Sequence, residues 1–306
     1  MSTVSFAADK TTGPVSTGPA VSLWRSIPIG AWLGVLPFIA FALLFLIVPT
    51  LFLVSSAFVD RDGNLTLQNI IDLGTDQVVN AFSISIRISA ASAFFGALIG
   101  LAMALAIIRG RLPSAIRSTV MTFSGVASNF AGLPLAFAFI ATLGRLGLVT
   151  VILRTVFGFD IYKSGFNLLS FVGLTLTYLY FQIPLMILII APAIDGLKKE
   201  WSEAAATLGA SRWQFWLYIG FPVLWPNLLG TLSLLFANAF GAIATAYALT
   251  GSSLNIVPIL LYAQIRGDVL HNPGLGAALA LGMIVITACA NVLYIVVRTR
   301  AERWLK

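Results

Sequence analysis

The sequence predicts an all-α membrane protein, a six-transmembrane-helix bundle with both termini cytoplasmic. Three observations carry this. Of 306 residues, 59% are hydrophobic and only 9% charged, against roughly 25% charged in an ordinary soluble domain. Mean hydropathy is +0.97, so a soluble enzyme is excluded. Second, apolar runs long enough to cross a bilayer, which takes about 20 residues, lie near 31–58, 80–108, 119–143, 167–194, 221–249 and 273–297. Third, the basic residues segregate between alternate loops, as set out below. Helices follow from the solvent: lipid offers no partner to an open sheet edge, so each backbone group has to be satisfied within the span.

Taken in order, residues 1–25 are rich in Ser, Thr, Gly and Pro and lack periodicity. They read as a disordered cytoplasmic tail. A cleaved signal is not expected, because the following apolar stretch is too long for one and has no clean small-residue cleavage site. Residues 26–60 hold the first transmembrane helix, and 75–300 form a core of five more. Pro134, Pro184 and Pro226 fall within runs, which membrane helices tolerate when neighbours resatisfy the backbone.

Lys10, Arg25, Arg109, Arg111, Arg117, Lys198, Lys199, Arg212, Arg298, Arg300, Arg303 and Lys306 all fall on one side of this topology. The opposite side has Arg61, Arg145, Arg154, Lys163 and Arg266, and Arg87 lies within a span. The richer side marks the cytoplasm. The net charge of +7 is thereby explained by membrane orientation, and nucleic acid is not needed as a partner. Arg87 sits about 10 Å from the outer end of its span at 1.5 Å per residue and reads as an anchoring or packing residue that snorkels outward, with substrate contact as the alternative.

Chemistry is sparse. One cysteine, Cys289, and one histidine, His271, supply neither a disulfide nor a metal set. No catalytic constellation and no metal site is expected. The chain also lacks the G-x-x-x-x-G-K-[ST] phosphate loop, so it binds no cofactor itself and any ATP chemistry belongs to another chain.

The informative stretch is DGLKKEWSEAAATLGASRWQFWLYIGFPVLWP, from Asp195 to Pro226, between the fourth and fifth runs. Lys198 to Leu208 is rich in helix formers. Gly209 suits a left-handed helix end, and Ser211 with Gln214 has the form of a capping box. The expected object is a short helix, a turn and a second helix entering the bilayer, with Trp201, Trp213, Phe215 and Trp216 as interfacial anchors.

Glu203-Ala204-Ala205, then Gly209 after three residues, Ile219 after nine more, and Pro222 behind Phe221 resemble the EAA signature of the permease subunits of binding-protein-dependent type I ABC importers. The usual leucine before the proline is Phe221 here. The resemblance covers about 75–300, and it implies the ABC transporter type I permease fold. Glu203, Ala204, Ala205, Gly209, Ile219 and Pro222 would belong to a loop at 195–222 that couples this subunit to a separate ATPase. The implied partners are an ABC ATPase dimer, a second permease subunit (similar or identical), a periplasmic substrate-binding protein and the lipid bilayer of a bacterial inner membrane. Within the family, the IRGRLPSAIR, LKKEWSEAAATLGAS and HNPGLGAALAL segments are most like the spermidine/putrescine branch, whose relatives also move phosphonate, iron and other small solutes.

Polar groups inside the spans pose a choice. Thr177, Tyr178, Tyr180 and Gln182 before Pro184, with Asn129, Asn238 and Tyr247 nearby, either line a translocation path or make interhelical hydrogen bonds. Gly230, Gly241, Gly274 and Gly276 read as points of close helix approach. The aspartates Asp60, Asp62, Asp72, Asp76, Asp160 and Asp268 give a mildly acidic outer face, either a docking surface for the binding protein or solvated loop charge. The alternative function is an ion-gradient-driven secondary transporter, whose inverted repeats six spans would half supply. No acidic residue lies mid-span to carry a proton, and neither that alternative nor a membrane scaffold accounts for the full EAA spacing.

Overall fold

The computed structural model describes residues 29–60, 62–110, 112–251, 253–266 and 271–302. The expected tail at 1–25 lies outside them, as do Arg61, Arg111, Asp268, Arg303 and Lys306. By internal contacts the chain falls into two units, Met1–Leu51 and Phe52–Lys306. The described part of the first is helical: α1 (Ile29–Ala42), a π turn (Leu43–Ile47) and the start of α2 (Val48–Ser56). None of the apolar stretch between Gly34 and Ser56 is buried.

The second unit continues with α3 (Gln68–Ile71), α4 (Asp76–Arg109), α5 (Ser114–Ala127), α6 (Leu133–Leu143), α7 (Leu148–Val156), α8 (Phe171–Asp195), α9 (Lys199–Thr207), α10 (Arg212–Phe215), a π turn (Trp216–Gly220), α11 (Phe221–Phe240), α12 (Ile243–Thr250), α13 (Val257–Arg266) and α14 (Pro273–Glu302). Among the described residues, six segments are long and apolar enough to cross a membrane: Gly34–Ser56, Asp76–Arg109, Leu133–Val156, Phe171–Asp195, Arg212–Phe240 and Pro273–Arg300. Among the described residues there is no strand, only an isolated bridge between Val59 and Leu65.

Two boundaries differ from the sequence reading. The third run was expected over 119–143, but the chain breaks after Ala127, and the crossing segment is Leu133–Val156. Gly132 has φ +76°, a conformation few other residues accept, and Pro134 sits in the first turn of α6, where its missing N–H costs nothing. The fifth run was expected over 221–249, but α11 stops at Phe240 and α12 is separate. The two breaks meet: the Gly132 backbone N–H donates to Thr245 Oγ1 at 2.7 Å.

α8 is the centre of the bundle and packs along α4. The seam on α4 is made of small residues, Ser85, Ser89, Ser92, Ala93, Gly96, Gly100 and Ala104, all buried. Their spacing of three and four keeps them on one helix face. A Cβ at Gly96 would lie 2.7 Å from Gln182 Cβ, and one at Gly100 2.6 Å from Met186 Cβ. Without a hydrophobic drive in lipid, such backbone-close van der Waals packing is what holds two helices together. Large side chains collect at either end of α8. Leu135, Leu174, Tyr178, Phe181 and Leu249 form one cluster; Met186, Ile187, Ile190, Ile194 and Leu224 form the other.

Of the four glycines read as approach points, three behave so. Gly230 faces the Tyr294 ring, Gly274 the Asn69 amide and Gly276 Ile265, each with no room for a Cβ. Gly241 does not: it terminates α11 and has space around it.

Candidate functional site

The 195–222 loop begins where α8 ends, and its first turn is held from outside. Arg109, the last residue of α4, donates from Nη2 to the carbonyls of Ile194 (3.1 Å) and Leu197 (2.7 Å). The last carbonyls of a helix have no partner within it, and a cation there also meets the negative end of the helix dipole. Arg117 of α5 pairs with Asp195, Nη2 to Oδ2 at 2.6 Å. Leu197 is buried against the lower cluster of α8.

α9 then runs over Lys199–Thr207 with Glu200 in its first turn, where a carboxylate suits the dipole. Ala205 is buried, while Glu203 and Ala204 are exposed. The helix closes by bonds from Gly209 N–H to the Ala206 carbonyl (3.0 Å) and from Ala210 N–H to the Ala205 carbonyl (2.9 Å). That pair is the Schellman closure, which needs a left-handed residue, and Gly209 supplies φ +81°. Ser211 follows as the expected capping box: its hydroxyl accepts from Gln214 N–H while its own N–H donates to Gln214 Oε1 at 2.7 Å.

The second helix differs from expectation. Instead of running straight into the membrane segment, it passes through a π turn at Trp216–Gly220. Ile219 lies in that turn and Pro222 in the first turn of α11. A proline has no N–H to give the preceding turn and its ring crowds that turn's carbonyl, so the widened turn sits where a regular α bond is already lost. Of the aromatic anchors, Trp213 is 74% exposed and Trp201 is also exposed, but Phe215 is buried and packs on Trp216, ring centroids 5.9 Å apart. Leu208, at 87% exposure, is the most prominent apolar side chain of the loop.

The polar residues of the spans divide. Thr177 is buried and donates to the Gly173 carbonyl at 2.9 Å, within its own helix. Tyr178 donates to the Ala242 carbonyl at 2.8 Å, tying α8 to the break between α11 and α12. Gln182, fully buried opposite Gly96, donates to the Leu235 carbonyl at 2.9 Å, while its Oε1 has no partner among the described residues. Tyr180 is half-buried between the rings of Phe130 and Phe139, at 5.9 and 6.2 Å. Asn129 and Asn238 are exposed, and so is Tyr247, which packs on Tyr262 at 5.3 Å. The structure thus brings Tyr178 and Gln182 into interhelical bonds and leaves Asn129, Asn238 and Tyr247 at the surface of the chain. Arg87 is exposed on α4.

Several of the aspartates in the remaining loops organise backbone. Asp60 Oδ1 accepts from the N–H groups of Asp62 and Asn64, both at 2.9 Å, and these bonds, Asn64 foremost, hold its carboxyl below the ordinary aspartate range. Asp160 caps Tyr162 in the same manner, whereas Asp72 accepts from a side chain, Gln68 Nε2. No group of three or more His, Cys, Asp or Glu is placed to hold a metal among the described residues.

Sequence reasoning used Arg109 and Arg117 only to orient the chain; that both hold the start of the loop was missed, since their partners lie more than seventy residues away. Gly96 and Gly100 were also missed, though their G-x-x-x-G spacing was there to be read.

The chain is similar to the ferric transport system permease protein FbpB of Actinobacillus pleuropneumoniae, 27% identical over 242 residues, which is 78% of this chain and 34% of that protein. It thus spans about a third of that relative. It is also similar to the molybdenum transport system permease protein ModB of Mycobacterium bovis, 27% identical over 214 residues, 68% of this chain and 75% of that one. In structure it resembles a chain of a bacterial ABC transporter involved in the import of the acidic polysaccharide alginate. There the TM-score is 0.68 at 19% identity, covering 91% of this chain and 96% of the other, a likeness of fold. Residues 96–303, which take in the end of α4, α8 and the whole 195–222 loop, match one family throughout, and the chain belongs to it: the inner membrane components of binding-protein-dependent transport systems.

Proposed function

We propose that the chain is a permease subunit of an ATP-driven importer, and that α9 is the lever through which a separate ATPase drives it. The observation that carries this is the closed geometry of 199–215: a short helix sealed by Gly209, then a capping box, with Glu203 and Leu208 outward. A rigid lever joined to a rigid bundle transmits motion where a flexible linker absorbs it. In this reading Glu203, Ala204, Ala205, Gly209, Ile219 and Pro222 form the coupling loop. The partners are an ATPase dimer, a second permease of the same kind and a periplasmic binding protein. In this reading both termini and the loop face the cytoplasm, the orientation that the excess of Lys and Arg on their side supports. ATP is bound by the partner, and no cofactor by this chain.

The solute in this reading is small and is handed over by the binding protein. A polyamine rests on the three segments quoted above. The relatives named for ferric iron and molybdenum favour an inorganic ion instead, and neither is named for a polyamine. Of the path candidates, Asn129, Tyr180, Asn238 and Tyr247 retain surface with which to meet a solute, whereas Thr177, Tyr178 and Gln182 serve the helix contacts beside it.

The test is purification of the tagged chain from its native membrane after crosslinking, followed by reconstitution with what accompanies it. An ATPase and a binding protein should co-purify, and the binding protein's ligand, screened across polyamines, ferric iron and oxyanions, names the solute. Glu203→Lys and Gly209→Pro should each lower the solute moved per ATP hydrolysed by tenfold or more, with the protein still inserted. Gly209→Pro acts because proline fixes φ near −65° where +81° is required. Uptake that persists without ATP and follows an ion gradient would return the chain to the secondary-transporter reading. A label attached after Lys306 should be reachable only from the cytoplasm.

A further inference from the structure

Between the end of α8 at Asp195 and the start of α9 at Lys199 lie only Gly196, Leu197 and Lys198. A glycine-containing link of that length is a natural hinge. If it bent freely, a push on α9 would be lost there instead of moving the helices above. Two independent contacts prevent this. Arg109 bridges the link, one guanidinium nitrogen bonded to a carbonyl on the α8 side (Ile194) and to one within the link (Leu197). Arg117 holds Asp195, the final residue of α8, from a second helix. Leu197 is buried beneath them.

From this we infer that Arg109, with the Arg117–Asp195 pair, forms the joint that makes α9 and the α4–α8 core turn as one piece. The inference rests on the lever reading above and assigns these three as positioning residues, which act through the loop without touching solute or nucleotide. The two contacts differ in weight. Arg109 is half-buried and makes charge-assisted bonds, the stronger kind. The Arg117–Asp195 pair is 42% exposed on both sides, and an exposed ion pair contributes little stability, so its role is to set direction. Arg109 lies at the foot of the small-residue seam on α4, and a displacement delivered there reaches Gly100 and Gly96, where the two backbones are too close to slide independently.

The experiment uses the complete reconstituted complex and reads solute moved per ATP hydrolysed. Arg109→Met should lower that ratio about tenfold. Arg109→Lys, which keeps the charge but not the planar fork, should fall between it and wild type. Arg117→Asp and Asp195→Arg should each lower the ratio about threefold, and the double reversal should restore it to within twofold of wild type. That rescue is a result that mere loss of folding cannot give. It keeps the test open if Arg109→Met does not assemble. Wild-type ratios in Arg109→Met and in both single reversals overturn the joint. A double reversal no better than the singles overturns it as well. Glu203→Lys, measured in the same preparation, separates the two readings. If it uncouples while the Arg109 and Arg117 variants do not, only the joint falls; if wild type shows no ATP-driven uptake, the lever reading falls first.

Discussion

The segment Gly34–Ser56 and helix α8 look alike to a hydropathy scan and are opposites in the structure. The first has the higher mean hydropathy in its best stretch, 2.7 against 1.9, yet none of that stretch is buried, whereas 61% of the α8 stretch is. α8 carries Thr175, Thr177, Tyr178 and Gln182 buried; in the other segment Phe38, Phe41, Phe45 and Phe52 are exposed. In water the more apolar helix would be the core. In lipid, apolar surface is as well solvated outside the bundle as inside it, and burial goes to the helix that can pack closely or make a bond across. Hydropathy in this chain reports which segments enter the membrane and says little about which of them form its centre.

That contrast can be broken most forcefully at the seam. Gly96→Leu places its first side-chain carbon within 2.7 Å of Gln182 Cβ, and overpacking of this kind costs about 3 kcal/mol or more. Purified protein should lose most of its resistance to unfolding by SDS, and a wild-type titration curve would show that α4 and α8 do not depend on close approach. A smaller effect is expected at Gln182→Leu. It removes the bond to Leu235 but also a carbonyl oxygen with no partner. Interhelical bonds in membranes average about 0.6 kcal/mol, so the net loss should stay below about 1 kcal/mol by the same titration. The smallest belongs to the other helix. Leu44→Ala, at an exposed position, should shift the isolated chain by no more than about 0.5 kcal/mol; a loss comparable with Gly96→Leu would erase the distinction between the two.

What could be read in advance follows the range of the interactions. The helix end at Gly209 and the capping box of Ser211 and Gln214 are decided within a few residues, and both stand as read. The existence of six apolar crossing segments is a property of composition, and it too was legible. The breaks at Gly132 and Gly241 were not, because each lies within or beside a continuous apolar run whose hydropathy does not change as the backbone turns. Phe215 was taken for an interfacial anchor on residue type alone, and the structure buries it, with its ring against Trp216. The bonds of Tyr178, Gln182, Arg109 and Arg117 join positions 53 to 88 residues apart, and no local pattern announces them. The candidate site was legible in its outline and not in its attachments.

The π turn at Trp216–Gly220 has a geometric consequence. A π turn accommodates one residue more than an α turn, and each residue of an α-helix advances the angle by about 100°. The extra residue is therefore taken up within a single turn, and the capped helix–turn–helix on one side and α11 on the other keep nearly the azimuth they would have across an ordinary α turn. Deleting one residue here lets the stretch close as an ordinary α turn and leaves both helices and their caps in place, whereas deleting one from the regular turns of α11 would swing the outward face of α9 through about 100°. Chain length is slack at this place and strict beside it: a single-residue deletion in the π turn spares the direction in which the loop points, and the same deletion a few residues on turns it away from whatever it engages.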